Sequence, residues 1–149
     1  LEFRRVLFRS SAKKEHSLAS FDIDYFKRIN DHYGHDIGDK TLVAVAMFLK
    51  KGCRTNDIVC RFGGEEFVVF FPNTQISEAE SIANRIREHI SCAQFSEVGK
   101  MTISAGVESL AHHNNDIEET LLSVDQWLYQ AKHEGRNRVV SARSKLISS

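Results

Sequence analysis

The chain has 149 residues, enough for one domain with a sizeable core. Its 20 basic and 20 acidic residues cancel with histidine neutral, which excludes a bulk basic surface for indiscriminate DNA or RNA binding and excludes an acidic tail. With 42% apolar and 27% charged residues the composition is that of a folded domain, and no apolar run reaches the ~18–20 residues of a membrane span.

Leu1–Ser10 reads LEFRRVLFRS. Phe3, Val6 and Leu7 could share one face of an amphipathic helix, but the codons CTG GAG TTC AGA CGT GTG CTC TTC CGA TCT also encode this decapeptide. That string resembles the end of a short-read sequencing adapter, so residues 1–10 are expected to be foreign and the native fragment to begin near Ser11. The same decapeptide found continuous with the rest in an intact genomic gene would refute this. Removing Arg4, Arg5, Arg9 and Glu2 leaves 17 basic and 19 acidic residues, a net charge of −2.

The elements follow in chain order. His16–Asp22 is a candidate strand. Asp22–Gly38 is rich in Asp, Asn, Gly and His and predicts turns, with one or two helical turns over Tyr25–Asn30. Asp39 is placed as an N-cap for a helix in which Leu42, Val45, Ala46 and Leu49 recur at helical spacing up to Lys51, with Gly52 as the stop. Asp57–Phe62 and Glu65–Phe71 flank Gly63-Gly64 and predict a hairpin, with glycine supplying a positive φ at the turn. Ser77-x-x-Glu80 predicts a capping box opening a helix to about His89 or Ser91. Met101–Val107 is the next strand. Asp116–His133 is a helix capped by Asp116 and ended by Gly135, and Arg138–Ser141 is a short last strand. Cys53, Cys60 and Cys92 show no paired or metal-site spacing and are expected to be free thiols in a reducing, cytoplasmic setting.

Strands and helices interleaved around a hairpin point to an α/β (α+β) fold with a mixed, ferredoxin-like sheet. In that arrangement the first strand lies beside the hairpin, and Asp22 faces its tip. Glu65 and Glu66 stand at the tip, and Asp22-x-Asp24 lies opposite. Hard oxygen ligands gathered on two strand ends suit Mg2+, which takes one or two carboxylates with phosphates and water, and such a site suits phosphoryl or nucleotidyl transfer.

Four ordered blocks, FDIDYFKRINDHYGHDIGD, RFGGEEF, TISAGV and YQAKHEGRN, resemble the GGDEF-domain diguanylate cyclases over about residues 17–140. The resemblance implies a palm-type fold similar to class III nucleotide cyclases. It implies condensation of two GTP to cyclic di-GMP with loss of two pyrophosphates, in a homodimer of domains that each hold one GTP. It implies Mg2+ (or Mn2+) on Asp22, the Ile23 carbonyl and Glu65, with Glu65 and Glu66 as the signature acids. Which acid, if either, serves as general base stays open. It further implies Asn30 and Asp39 as readers of guanine, Lys27, Lys132 and Arg136 as phosphate cations, and Gly63 and Gly64 as a close-approach turn. Arg54-Thr-Asn-Asp57 matches an R-x-x-D inhibitory product site for cyclic di-GMP.

The family's opening D-x-L-T-x-L-x-N-R block has no match here. The chain is therefore expected to be one GGDEF domain over residues 11–149 without its first helix, weak or inactive alone. A sensory or receiver domain is expected to precede it in the parent protein, which is open to membrane anchoring through that region. The alternative is a non-catalytic GGDEF module that binds GTP or cyclic di-GMP for signalling. Trp127 stands where the family has a small residue, as core or as an exposed anchor. Asp125 is expected to make a structural contact, and His32, His35, His112 and His113 to be solvated or capping.

Overall fold

The computed structural model describes residues 15–148, with side chains described to Lys145. The readings made for Leu1–Ser10 lie outside the described residues. Strand β1 (Ser17–Ile23) is followed by helices α1 (Phe26–Tyr33) and α2 (His35–Gly52). The hairpin β2 (Ile58–Arg61) and β3 (Glu66–Phe71) comes next, then α3 (Ile76–Cys92) and β4 (Ile103–Ser109). A 3-10 turn (Leu110–His113) leads to α4 (Ile117–His133), β5 (Val139–Ser141) and α5 (Ala142–Ser148). The sheet order is β2-β3-β1-β4-β5, antiparallel except for the β4–β5 pair. This is the mixed, palm-type arrangement expected from the sequence, with β1 central and beside the hairpin.

Side chains alternate across a strand, so β1 serves two layers. Ala19, Phe21 and Ile23 join Phe67, Val69, Phe71, Ile103 and Val107 in a core closed by Leu42, Val45 and Leu49 of α2 and Ile82, Ile86 and Ile90 of α3. Each large side chain sealed there contributes about 1.5–3 kcal/mol of apolar burial. Leu18, Val68 and Phe70 face the other way, toward Val124 and Ile117 of α4. By the same alternation Asp22 and Glu66, paired across β1 and β3, emerge on the α4 side. Helix α4 approaches β4 closely at Gly106, where an added Cβ would lie 2.3 Å from the Val124 carbonyl oxygen and 2.5 Å from the Leu128 nitrogen. Backbone cannot yield as a side-chain tip does. Gly106→Ala is therefore expected to destabilise the domain by about 1–3 kcal/mol, read as a fall in the chemical-denaturation midpoint.

Several boundaries differ from the sequence expectation. Asp39 is not the N-cap of α2. Gly34, at φ 90°, breaks the chain between α1 and α2, so the helix starts at His35 and Asp39 sits in its second turn. The two turns expected near Tyr25 form a full helix to Tyr33. The Ser77–Glu80 capping box does not form. Helix α3 begins at Ile76, and Glu80 is drawn off by Ser141 Oγ at 3.0 Å and Arg143 Nη1 at 3.5 Å. Neither Gly63 nor Gly64 has a positive φ, and Glu65 lies in the hairpin loop rather than in β3. That loop closes through the Phe62 amide on the Glu66 carbonyl at 2.8 Å, with Arg61 donating to the Gly64 carbonyl at 2.7 Å. The Asp116 cap is present, accepting from the Glu119 amide at 3.1 Å. Cys53, Cys60 and Cys92 form no disulfide, and burial pushes the Cys53 thiol up to about 12.

Candidate functional site at the end of strand β1

Asp22 is 8% exposed at the C-terminal end of β1, and Lys132 of α4 donates to its Oδ2. Its Oδ1 is buried with no hydrogen-bond partner among the described residues. Burial raises the Asp22 pKa to about 6; Lys132 opposes the rise, and the nearby Glu65 carboxylate adds to it. Two carboxylates and one ammonium thus meet beside the Gly63-Gly64 tip. A Cβ on either glycine would meet nothing within 4 Å, so packing within the chain does not demand glycine there.

Glu66 takes a different position. Ser20 Oγ donates to its Oε1 at 2.8 Å, and its carboxyl also meets Asp125 of α4. Loss of water, and then Glu66, pushes Asp125 up to about 6. Asp24, grouped with the acids in the sequence, is fully committed to the fold. Its Oδ2 accepts from Thr102 Oγ1 at 2.6 Å and from the Asn137 amide at 3.0 Å, and its Oδ1 accepts from Ser104 Oγ at 2.7 Å.

An orphaned buried oxygen on Asp22 and a second carboxylate on Glu65 fit a hard divalent cation. Among the described residues no three His, Cys, Asp or Glu side chains converge as a ready-made cage. Two carboxylates so placed would suit Mg2+ or Mn2+ completed by phosphate oxygens and water rather than a cation held by protein alone.

The remaining candidates stand on α1, on α2, in the loop past α4 and at the turn before β2. Asn30 of α1 packs on Gly38, where a Cβ would fall 1.8 Å from its Oδ1, and Asp39 follows directly as an exposed carboxylate. Gly38, which sequence reasoning passed over, is what lets Asn30 lie against α2. Lys27 is exposed on the first turn of α1. Arg136 sits just past α4 in a left-handed conformation, its guanidinium 4.6 Å from the Tyr25 ring centroid. Arg54 and Asp57 are elsewhere, at the turn before β2. Asp57 Oδ2 accepts from the Arg54 amide at 2.7 Å, and Arg54 also reaches Glu78 at 2.8 Å and Thr74.

Trp127 is half-buried, its indole donating to Glu108 at 3.2 Å. Burial alone would raise the Glu108 carboxyl, yet the Ser109 amide, Trp127, His112 and Ser123 together hold it below the ordinary range. His112, half-exposed to solvent, meets this buried acid at 2.7 Å, and His113 lies 3.5 Å from it.

The family model described as diguanylate cyclase, GGDEF domain, matches residues 2–138. The chain is a GGDEF domain. It is 47% identical over 124 residues to the response regulator PleD of Caulobacter vibrioides, covering 80% of this chain but 27% of PleD's length. The domain also superposes on the active GGEEF domain of a diguanylate cyclase from Vibrio cholerae, at TM-score 0.84 and 36% identity over 93% of this chain and 88% of that one. The GGDEF domain of DgcB from Caulobacter crescentus, in complex with c-di-GMP, aligns at TM-score 0.87 and 29% identity over 95% and 86% of the two chains.

Proposed function

We propose that this GGDEF domain is a diguanylate cyclase, joining two GTP molecules into cyclic di-GMP with release of two pyrophosphates. The observation that carries the reading is the meeting of Asp22, Glu65 and Lys132 beside the Gly63-Gly64 tip. Acids there suit a metal, and cations there suit phosphate. Bound Mg2+ or Mn2+ supplies charge neutralisation at the phosphates and a lowered pKa at the attacking hydroxyl. Asp22, Glu65 and the Ile23 carbonyl hold it. Lys27, Lys132 and Arg136 bind the triphosphate, and the unclaimed space at Gly63 and Gly64 lets nucleotide pass close to backbone. Asn30 and Asp39 read guanine. Asp39 accepts from its N1–H and 2-amino groups, donors that adenine lacks, so ATP is rejected. Each 3′-hydroxyl oxygen bonds to the α-phosphorus of the GTP on the other domain, which is why a homodimer is required. Glu66, the second signature acid, either takes the hydroxyl proton or helps to place the metal.

The test is incubation with GTP and Mg2+ of the chain fused to a dimerising coiled coil. Formation of cyclic di-GMP that disappears in Glu65→Gln and Glu66→Gln supports the enzyme. Nucleotide binding without turnover supports a binding module instead.

The Arg54–Asp57 pair is the proposed inhibitory site for cyclic di-GMP. An arginine fork suits guanine or phosphate, and a carboxylate suits guanine N–H groups. In the same assay Arg54→Ala is expected to abolish the slowing of turnover by added cyclic di-GMP while leaving the initial rate unchanged. Unchanged inhibition would refute the assignment. The parent protein is proposed to be regulated through its sensory or receiver domain and to present this domain in the cytoplasm. No helix among the described residues is long and apolar enough to cross a membrane.

A further inference from the structure

Arg136 is an unusual place for a phosphate cation, because its loop is strained and externally tied. Arg136 and Asn137 are both left-handed, at φ 63° and 47°. The Arg136 amide donates to the Ala131 carbonyl at 2.9 Å, and the next residue is held from two sides. The Asn137 amide donates to Asp24, and Arg87 Nη1 donates to Asn137 Oδ1 at 2.8 Å. The backbone is thus anchored, and the freedom left is in the Arg136 side chain.

Tyr25 meets that side chain. Its ring carries the Arg136 guanidinium at 4.6 Å and the Arg28 guanidinium at 4.3 Å. Tyr25 is itself left-handed, at φ 57°, a conformation that costs a non-glycine residue about 1–2 kcal/mol and that glycine would adopt freely. Tyr25 is 48% exposed, so its ring is open on one side rather than sealed in the core. What glycine would lose is an aromatic face directly after the Asp22–Asp24 segment.

We propose that Tyr25 is a positioning residue for phosphate capture, its ring holding the Arg136 guanidinium beside the β1–α1 turn where the metal-binding acids end. This rests on the reading of Arg136 as a phosphate cation. Two measurements test it. In the ligand-free chain, NMR of the Arg136 side chain should show an upfield ring-current shift that is lost in Tyr25→Leu and kept in Tyr25→Phe. In calorimetric titration with a non-hydrolysable GTP analogue and Mg2+, Tyr25→Leu should weaken binding about two- to fivefold, as expected of a partly exposed cation–π contact. Tyr25→Phe should bind as the parent does, and in an Arg136→Ala background Tyr25→Leu should add no further loss. An equal loss in both backgrounds, or no loss in either, overturns the proposal, as does an absent ring-current shift. A parent chain that binds no analogue refutes the nucleotide reading and this proposal with it. A parent that binds with no coupling between the two residues refutes this proposal alone.

Discussion

Asp22→Asn is expected to lower divalent-metal affinity by more than about 100-fold, because removing even a group that merely supports a ligand costs 10–100-fold. The same substitution should raise the melting temperature. Asp22 is buried, and its pKa stands at about 6 against 3.8 for an ordinary aspartate. The folded state therefore binds the proton more tightly than the unfolded state does. Stability is highest when Asp22 is protonated, falls as pH rises through about 4 to 6, and stays lower above that range. The ionised carboxylate costs the fold on the order of 2–3 kcal/mol at neutral pH, with Lys132 limiting the cost. Asparagine keeps the shape and an acceptor for Lys132 without the buried charge. A melting temperature that is higher at pH 5 than at pH 8 for the parent, with the difference reduced in Asp22→Asn, is the expected result. Equal metal affinity in the two proteins would remove Asp22 from the metal site.

Asp24→Asn is expected to do the opposite, destabilising the domain by about 3 kcal/mol or more. The Asp24 carboxylate, 3% exposed, accepts from Thr102, Ser104 and the Asn137 amide. An asparagine amide offers one oxygen for these three donors and turns an N–H toward at least one of them. The Asn137 amide would lose its anchor, and Arg136 would lose its fixed loop. Urea denaturation should show the lower midpoint, and nucleotide affinity should fall in the surviving folded fraction. A variant with parental stability would mean that the three donors find other partners.

The two aspartates are separated by one residue, and nothing in the DID spacing distinguishes them. Both belong to the same strand end and to the same motif. Their different duties come from what the sheet places opposite each. Strand β4, the residue before it and the loop before β5 bring three donors to Asp24, whereas α4 brings a single lysine to Asp22. Glu65 and Glu66 are separated in the same way, one going to Asp22 and the other to Ser20 and Asp125. The capping box at Ser77 failed for a related reason. Its Glu80 has partners more than 60 residues away in Ser141 and Arg143, and a tertiary contact outcompeted a local one. Trp127 was legible only as out of place. Its role emerged once β4 put a buried glutamate beneath it.

The sequence by itself determined the family, the hairpin beside β1 and most of the element order, because those depend on periodicity and on short ordered motifs; helix α5 and the break at Gly34 were not legible in it. Tertiary structure decided which of these residues meet. Lys132 reaches Asp22 across 110 positions of chain, and Tyr25 reaches Arg136 across 111. Contacts at such separation depend on how helix α4 crosses the sheet, close in at Gly106, and no local pattern encodes that crossing. The overall charge balance is a property of composition. The meeting of Asp22, Glu65 and Lys132 is a property of the packed sheet.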